Sequence, residues 1–232
     1  MANGVPPVEP QGLRLLRLAI HELATPLGVV SGYHRMLLKD NAGALSDQQR
    51  QMLEVANTAV VRLLALLQEM KDLAKLLEPG TTFARSKLNL ASLLAETISA
   101  LPADNDRGVR IVLTNPADPA TVDGDTVRLR TAFAFVLSAL RRELVTSAKL
   151  AVRIGRSMHD GRKQVRISIA DEARIDAIDR AEPGNLVAFE EFRSGCGFGL
   201  VIARRILTAY GGQLWSPPEE SKAGALVVLP EA

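Results

Sequence analysis

Two runs of apolar residues, spaced alternately three and four apart, restrict this chain more than any other feature. The first is Leu13, Leu16, Ile20, Leu23, Leu27, Val30, His34 and Leu37, and the second is Leu53, Ala56, Val60, Leu63, Leu67, Met70, Ala74 and Leu77. That rhythm is the seam of a coiled coil or a helical bundle. The polar stretch "KDNAGALSDQQ" separates the runs, Ser46 with Gln49 predicts a capping box, and Pro79-Gly80 closes the second run. The pattern predicts an antiparallel helical hairpin over residues 13–80. A lone hairpin leaves much of its apolar stripe in water, so two copies are expected to close a four-helix bundle as a homodimer. An intramolecular bundle with a third helix is the other arrangement, and the mixed character of the remaining sequence disfavours it.

A chain of 232 residues suits one large domain or two small ones. With 28 Lys and Arg against 26 Asp and Glu, charge gives no reason to expect a nucleic-acid partner. Cys196 stands alone, which rules out an internal disulfide and fits a reducing compartment. No apolar run approaches the roughly 18–20 residues of a membrane span. The first dozen residues, "MANGVPPVEPQG", lack the apolar core of a signal peptide and read as a flexible leader, residues 1–12. A cytoplasmic location with no membrane partner is therefore expected.

Within the first helix, "RLAIHELATPLGVVSGY" sets a histidine and a proline side by side in the apolar pattern. His21 falls one position past the seam residue Ile20, at the edge of the bundle and within reach of solvent. Glu22 follows it, and Thr25 stands at i+4, on the same side of the helix. Pro26 has no N–H to give the Glu22 carbonyl, so the helix is expected to bend or loosen there. A neutral imidazole attacks through one nitrogen while the other keeps its proton, and a neighbouring carboxylate can fix that tautomer. These are the requirements of a phosphoryl-accepting histidine. His34 occupies a seam position, where a polar core or register role is expected. It lies about 220° around the helix from His21, so the two cannot share a metal. His159 falls in an expected turn, and no zinc-type spacing exists, so no metal site is expected.

"HELATPL" resembles the H-box of the sensor histidine kinases. The resemblance implies that His21 is the phosphoacceptor, that Glu22 assists as an orienting acid or base, and that Thr25 serves in dephosphorylating a response-regulator receiver domain. It also implies that the receiver docks on the bundle below His21, with Tyr33, Arg35 and Met36 as candidate contacts.

Residues 81–232 read as a mixed α and β domain, so the fold class as a whole is α+β. Asn89 is placed to open a helix after a short strand, "VRIVLTN" (109–115) reads as a strand, and residues 126–144 read as a strong helix. Two alternating strands flank Asp160-Gly161, a hairpin signal. A helix over 199–210 closed by Gly211-Gly212, and the strand "GALVVLP", complete a sheet expected to carry its helices on one face.

"GCGFGLVIARRILTAYGGQLW" resembles the G2 box of the same kinases, and "FEEFRS" before it resembles their F-box. The resemblance extends over residues 13 to 232 and implies a Bergerat-type ATP-binding domain. Gly195, Gly197 and Gly199 precede a helix N-terminus, where backbone N–H groups can meet phosphate. Phe189 and Phe192 are expected to pack. The family's N-box asparagines, which hold magnesium and triphosphate, align with Phe135 and Ala139, and no Asn occurs between Asn115 and Asn185. Arg142, three residues beyond Ala139, could reach phosphate, although a solvated helix-end role is the expected one. The glycine-rich G1 box appears as "DEARI": Asp171 is kept for the adenine amino group, while Ala173 and Ile175 stand in place of glycines. Only Arg193-Ser194 remain between the F-box and the G2 box.

Phosphoryl transfer depends on positioning and on cations that neutralise the β- and γ-oxygens. A residual site of Asp171, Arg142 and the three glycines therefore predicts weak or absent use of ATP and Mg. Three readings follow. The first is a phosphotransfer protein in which His21 exchanges a phosphoryl group with a receiver aspartate; the second is an autokinase with an atypical nucleotide site. The third is a non-catalytic dimeric scaffold, against which the intact H-box stands.

Overall fold

The computed structural model describes residues 10–102, 108–114, 120–144, 147–193, 195–218 and 224–232. The chain divides between Thr81 and Thr82 into two compact units.

The first unit is a pair of long helices, α1 (Pro10–Leu38) and α2 (Asp47–Leu76). Residues 1–9 of the expected leader lie outside the described residues, and the helix is already under way at Pro10, whose fixed φ suits a helix start. Ser46 caps α2 as its sequence predicts: its hydroxyl accepts from the Gln49 N–H, and the Gln49 side chain accepts from the Ser46 N–H. Arg50 closes the loop by donating to both Asp40 carboxylate oxygens at 2.7 Å and to the Leu38 carbonyl at 3.1 Å. Leu13, Ile20 and Ala74 form a core with Leu16, Met70 and Leu77 packed on it, and Val60 and Leu67 are buried farther along.

The expected seam is only half covered. Leu23 is 48% exposed, Val30 41% and Leu63 45%, and Leu15, Leu18, Val29, Tyr33 and Met36 also face solvent. One partner helix is too narrow to cover a stripe of this width. The helix continues through Pro26, which gives the Glu22 carbonyl no i+4 donor. No helix among the described residues is long and apolar enough to cross a membrane.

The second unit begins with β1 (Ser86–Asn89), α3 (Leu90–Ala100), β2 (Arg110–Thr114), β3 (Thr121–Gly124) and α4 (Thr126–Glu143). It continues with β4 (Lys149–His159), β5 (Arg162–Asp171), α5 (Ile175–Arg180) and a 3-10 turn at Pro183–Asn185. The last elements are β6 (Val187–Ala188), α6 (Gly199–Ala209), β7 (Gln213–Ser216) and β8 (Gly224–Pro230). A six-stranded mixed sheet has the order β2-β4-β5-β8-β7-β6, and β1 pairs with β3 in a separate ribbon.

Local signals place these elements. The Asn89 side chain accepts from the N–H groups of Ala91 and Ser92 to start α3, and Asp125 accepts from that of Arg128 to start α4. Asp160 and Gly161, both at positive φ, turn β4 into β5. Tyr210, at the end of α6, donates to the Ala84 carbonyl and meets the Phe83 ring edge-on, and burial pushes its phenol up from the ordinary value.

Strand alternation sorts the core. Leu150, Val152, Val165, Ile167, Ile169, Val227 and Leu229 are buried on the face that carries α3, α4 and α6. The opposite face is not bare, which corrects the expectation of helices on one face only. There Ala151, Ala170, Leu226 and Val228 are covered by Ile175 and Ile178 of α5, with Leu186 and Trp215. Polar residues of that face hold α5 down: Arg153 reaches Asp176 and Asp179, and Ser168 donates to Asp179. The Arg153 guanidinium also holds the exposed Asp176 carboxyl below its usual range.

Candidate functional site

Each of the two units holds one candidate site. His21 stands on α1 one residue past buried Ile20, and His21, Glu22 and Thr25 are all exposed. His21 and Thr25 share a face at i+4, so one molecule approaching α1 meets both. Glu22 and His21 are about 100° apart on a straight helix, and among the described residues no hydrogen bond joins their side chains. The expected orienting contact is therefore not formed in the isolated hairpin. Arg17, one turn before His21 on that face, is ion-paired with Glu78. His34 is half-buried, as a seam position requires, with its Nδ1 buried and lacking a partner among the described residues.

The second place is the junction of α4 with the start of α6. Gly195 (φ +79°) and Gly197 (φ +59°) occupy the left-handed region, which is why this turn is glycine-rich. Gly199 serves differently. A Cβ there would lie 2.8 Å from Cγ and Cε1 of Phe135, so the Phe135 ring rests directly on the Gly199 backbone. The sequence reading offers this glycine to an approaching phosphate; in the structure the Phe135 ring lies against it. Arg142 is likewise not a free helix-end cation, since its Nη1 donates to the Gly195 carbonyl at 2.6 Å. Asp171 is buried at the end of β5, and its Oδ1 accepts from the Ala173 N–H at 2.9 Å in a tight local turn.

Magnesium takes oxygen ligands in near-octahedral array. Phe135 and Ala139, at the positions that the resemblance gives to the metal-holding asparagines, supply none. Neither side chain fits the metal of a bridged triphosphate.

The F-box resemblance is half right about packing. Phe189 is buried, but Phe192 is 77% exposed. The chain is extended here, so residues 189, 191 and 193 face inward and 192 faces out. Glu191 and Arg193 take the inward places by pairing, Glu191 with Arg204 of α6 and Arg193 with Glu143 of α4. Sequence reasoning missed these four residues, whose partners lie up to 50 positions apart. Ser194 lies outside the described residues.

Residues 13–79 match the His Kinase A (phospho-acceptor) domain. The chain is 30% identical over 225 residues to the adaptive-response sensory kinase SasA of Synechococcus sp. (strain CC9902), covering 89% of this chain and 54% of that protein. It is 29% identical over 216 residues to the sensor histidine kinase AruS of Pseudomonas aeruginosa, covering 87% of this chain and 21% of that protein. The crystal structure of full-length ShkA in complex with AMPPNP has the same fold, with a TM-score of 0.67 and 24% identity, over 98% of this chain and 47% of that one. The chain thus spans about half or less of the length of these relatives. A hairpin matched to a family model, a sheet domain of this topology and relatives aligned across both units together lead to one conclusion: residues 13–79 belong to the His Kinase A (phospho-acceptor) family, and the chain as a whole is similar to sensor histidine kinases.

Proposed function

We propose that this chain is a histidine phosphotransfer protein of two-component signalling, in which His21 exchanges a phosphoryl group with the aspartate of a response-regulator receiver. Use of ATP is weak or lost. The observation that carries this reading is the Phe135 ring seated on Gly199, where a triphosphate and its metal would need space and oxygen ligands. The histidine, in contrast, stands open to solvent on an intact helix face.

In the forward step a neutral imidazole nitrogen of His21 attacks the phosphorus of an acyl phosphate. The P–N bond forms, the P–O bond to the aspartate breaks, and the carboxylate leaves with the electron pair. The second ring nitrogen keeps its proton, and Glu22 steadies the resulting positive charge once docking reshapes its surroundings. In a separate hydrolytic role, Thr25, exposed on the His21 face, positions a water that attacks the phosphoaspartate, releasing inorganic phosphate and the free carboxylate.

Incubation with radiolabelled ATP, and separately with a labelled phosphorylated receiver, tests the reading. Label is expected on His21 from the receiver alone. Labelling of His21 by Mg-ATP, without a partner and at the rate ordinary for sensor kinases, overturns it in favour of an atypical autokinase.

The exposed Leu23, Val30 and Leu63 lead the same reading to a homodimer, in which a second hairpin covers them. Sedimentation is expected to give twice the chain mass, and Leu23→Asp with Val30→Asp to give a monomer. A monomeric wild-type chain would defeat this part.

A further inference from the structure

Phe135, Ala139, Arg142 and Glu143 fall at i, i+4, i+7 and i+8 of α4, a single stripe of the helix. In the family resemblance this stripe faces the nucleotide. Its three large side chains all end on the segment that leads from β6 into α6. Phe135 rests on Gly199, Arg142 holds the Gly195 carbonyl, and Glu143 pairs with Arg193. The segment is also tied from its other sides. The Arg193 side chain is only 4% exposed; its Nε donates to the Glu190 carbonyl at 2.8 Å and its Nη2 to Ser216 Oγ at 3.1 Å. Its guanidinium carbon sits 4.2 Å from the Phe189 ring centroid. Glu191, also buried, pairs with Arg204 on α6.

Charged pairs with one buried partner add little net stability, but removing the more exposed partner strands the other away from water. They therefore act as fixtures, resisting any opening that would separate them. The geometry points to a self-latched domain: the α4 stripe, having lost its nucleotide ligands, holds residues 189–193 and 195–199 shut with the protein's own side chains, so that this segment does not switch with nucleotide. The inference rests on the proposed loss of ATP use and extends it to the regulation of that same site. The sheet domain keeps one closed form, whatever the nucleotide level.

Hydrogen exchange on the full chain, with and without Mg-ATP, tests the latch. Amides of the two stretches are expected to exchange slowly in nucleotide-free protein, with no change on adding Mg-ATP. Glu143→Gln is expected to speed them by about ten-fold or more, because Arg193 is left buried and unbalanced. Fast exchange in the wild type overturns the latch. If Mg-ATP then slows it, the proposed loss of nucleotide use falls as well; if Mg-ATP leaves it fast, only the latch falls. Should Glu143→Gln unfold the whole sheet domain, Arg142→Gln decides. Faster exchange confined to the segment upholds the latch, and unchanged exchange overturns it.

Discussion

His21→Ala is expected to lower phosphoryl uptake from a phosphorylated receiver by roughly three orders of magnitude or more, because the atom that forms the new bond is gone. The protein itself is expected to survive the change. His21 is exposed and makes no hydrogen bond among the described residues, and alanine is the better helix former. The unfolding midpoint of the variant is therefore expected within about 0.5 kcal/mol of wild type. That separation matters, since loss of uptake in a folded protein isolates the chemistry from the scaffold. Thr25→Ala is expected to behave differently, leaving labelling of His21 intact while slowing loss of phosphate from the receiver. Receiver-dependent labelling that persists in His21→Ala would place the acceptor elsewhere and leave the scaffold reading standing.

Much of the hairpin and several element boundaries are legible in the amino-acid sequence alone, and the reason is range. The Ser46–Gln49 box, the Asn89 cap and the Asp160-Gly161 turn each involve residues at most four apart, so a short window contains the whole interaction. The two heptad runs are longer, but each position repeats the same instruction. The six-residue helix α5 repeats nothing. It has too few turns to show a period, and what holds it is Ile175 and Ile178 meeting alanines and a leucine from three different strands. Phe192 departs from expectation for a related reason. An aromatic residue is expected inside, yet here the inward places belong to two charges whose partners, Glu143 and Arg204, belong to separate helices. The exposure of His21 is legible because the seam that sets it, one residue past buried Ile20, is written in its own helix. The state of the nucleotide junction is legible only in part. The absence of asparagine can be counted, but nothing local announces that the substituted ring comes to rest on a glycine 64 positions later.

That contact makes a quantitative prediction. Gly199 begins α6, where replacing glycine by alanine in open surroundings is expected to stabilise a helix by about 0.5–1 kcal/mol. Here the added Cβ would run into Cδ1 of the Phe135 ring and lie 2.8 Å from its Cγ and Cε1, so one of the two must move. Overpacking of this kind costs about 1–3 kcal/mol and outweighs the helix preference, so Gly199→Ala is expected to destabilise the sheet domain. Phe135→Ala alone is expected to cost about 1–3 kcal/mol from lost burial of a half-covered ring. Combined, the two changes should cost well under their sum, because the ring that obstructs the new methyl is no longer there. Urea unfolding of the four proteins is expected to give a coupling of about 1–2 kcal/mol, and additivity within about 0.5 kcal/mol would mean that the ring does not sit where the junction requires it. Calorimetry on the same variants links the packing to the chemistry. Phe135→Ala opens room beside Gly199 but adds no oxygen ligand, so magnesium-dependent binding of ATP is expected to stay absent. Tight magnesium-dependent binding in that variant would mean that obstruction alone, and not the missing ligands, underlies the proposed loss of ATP use.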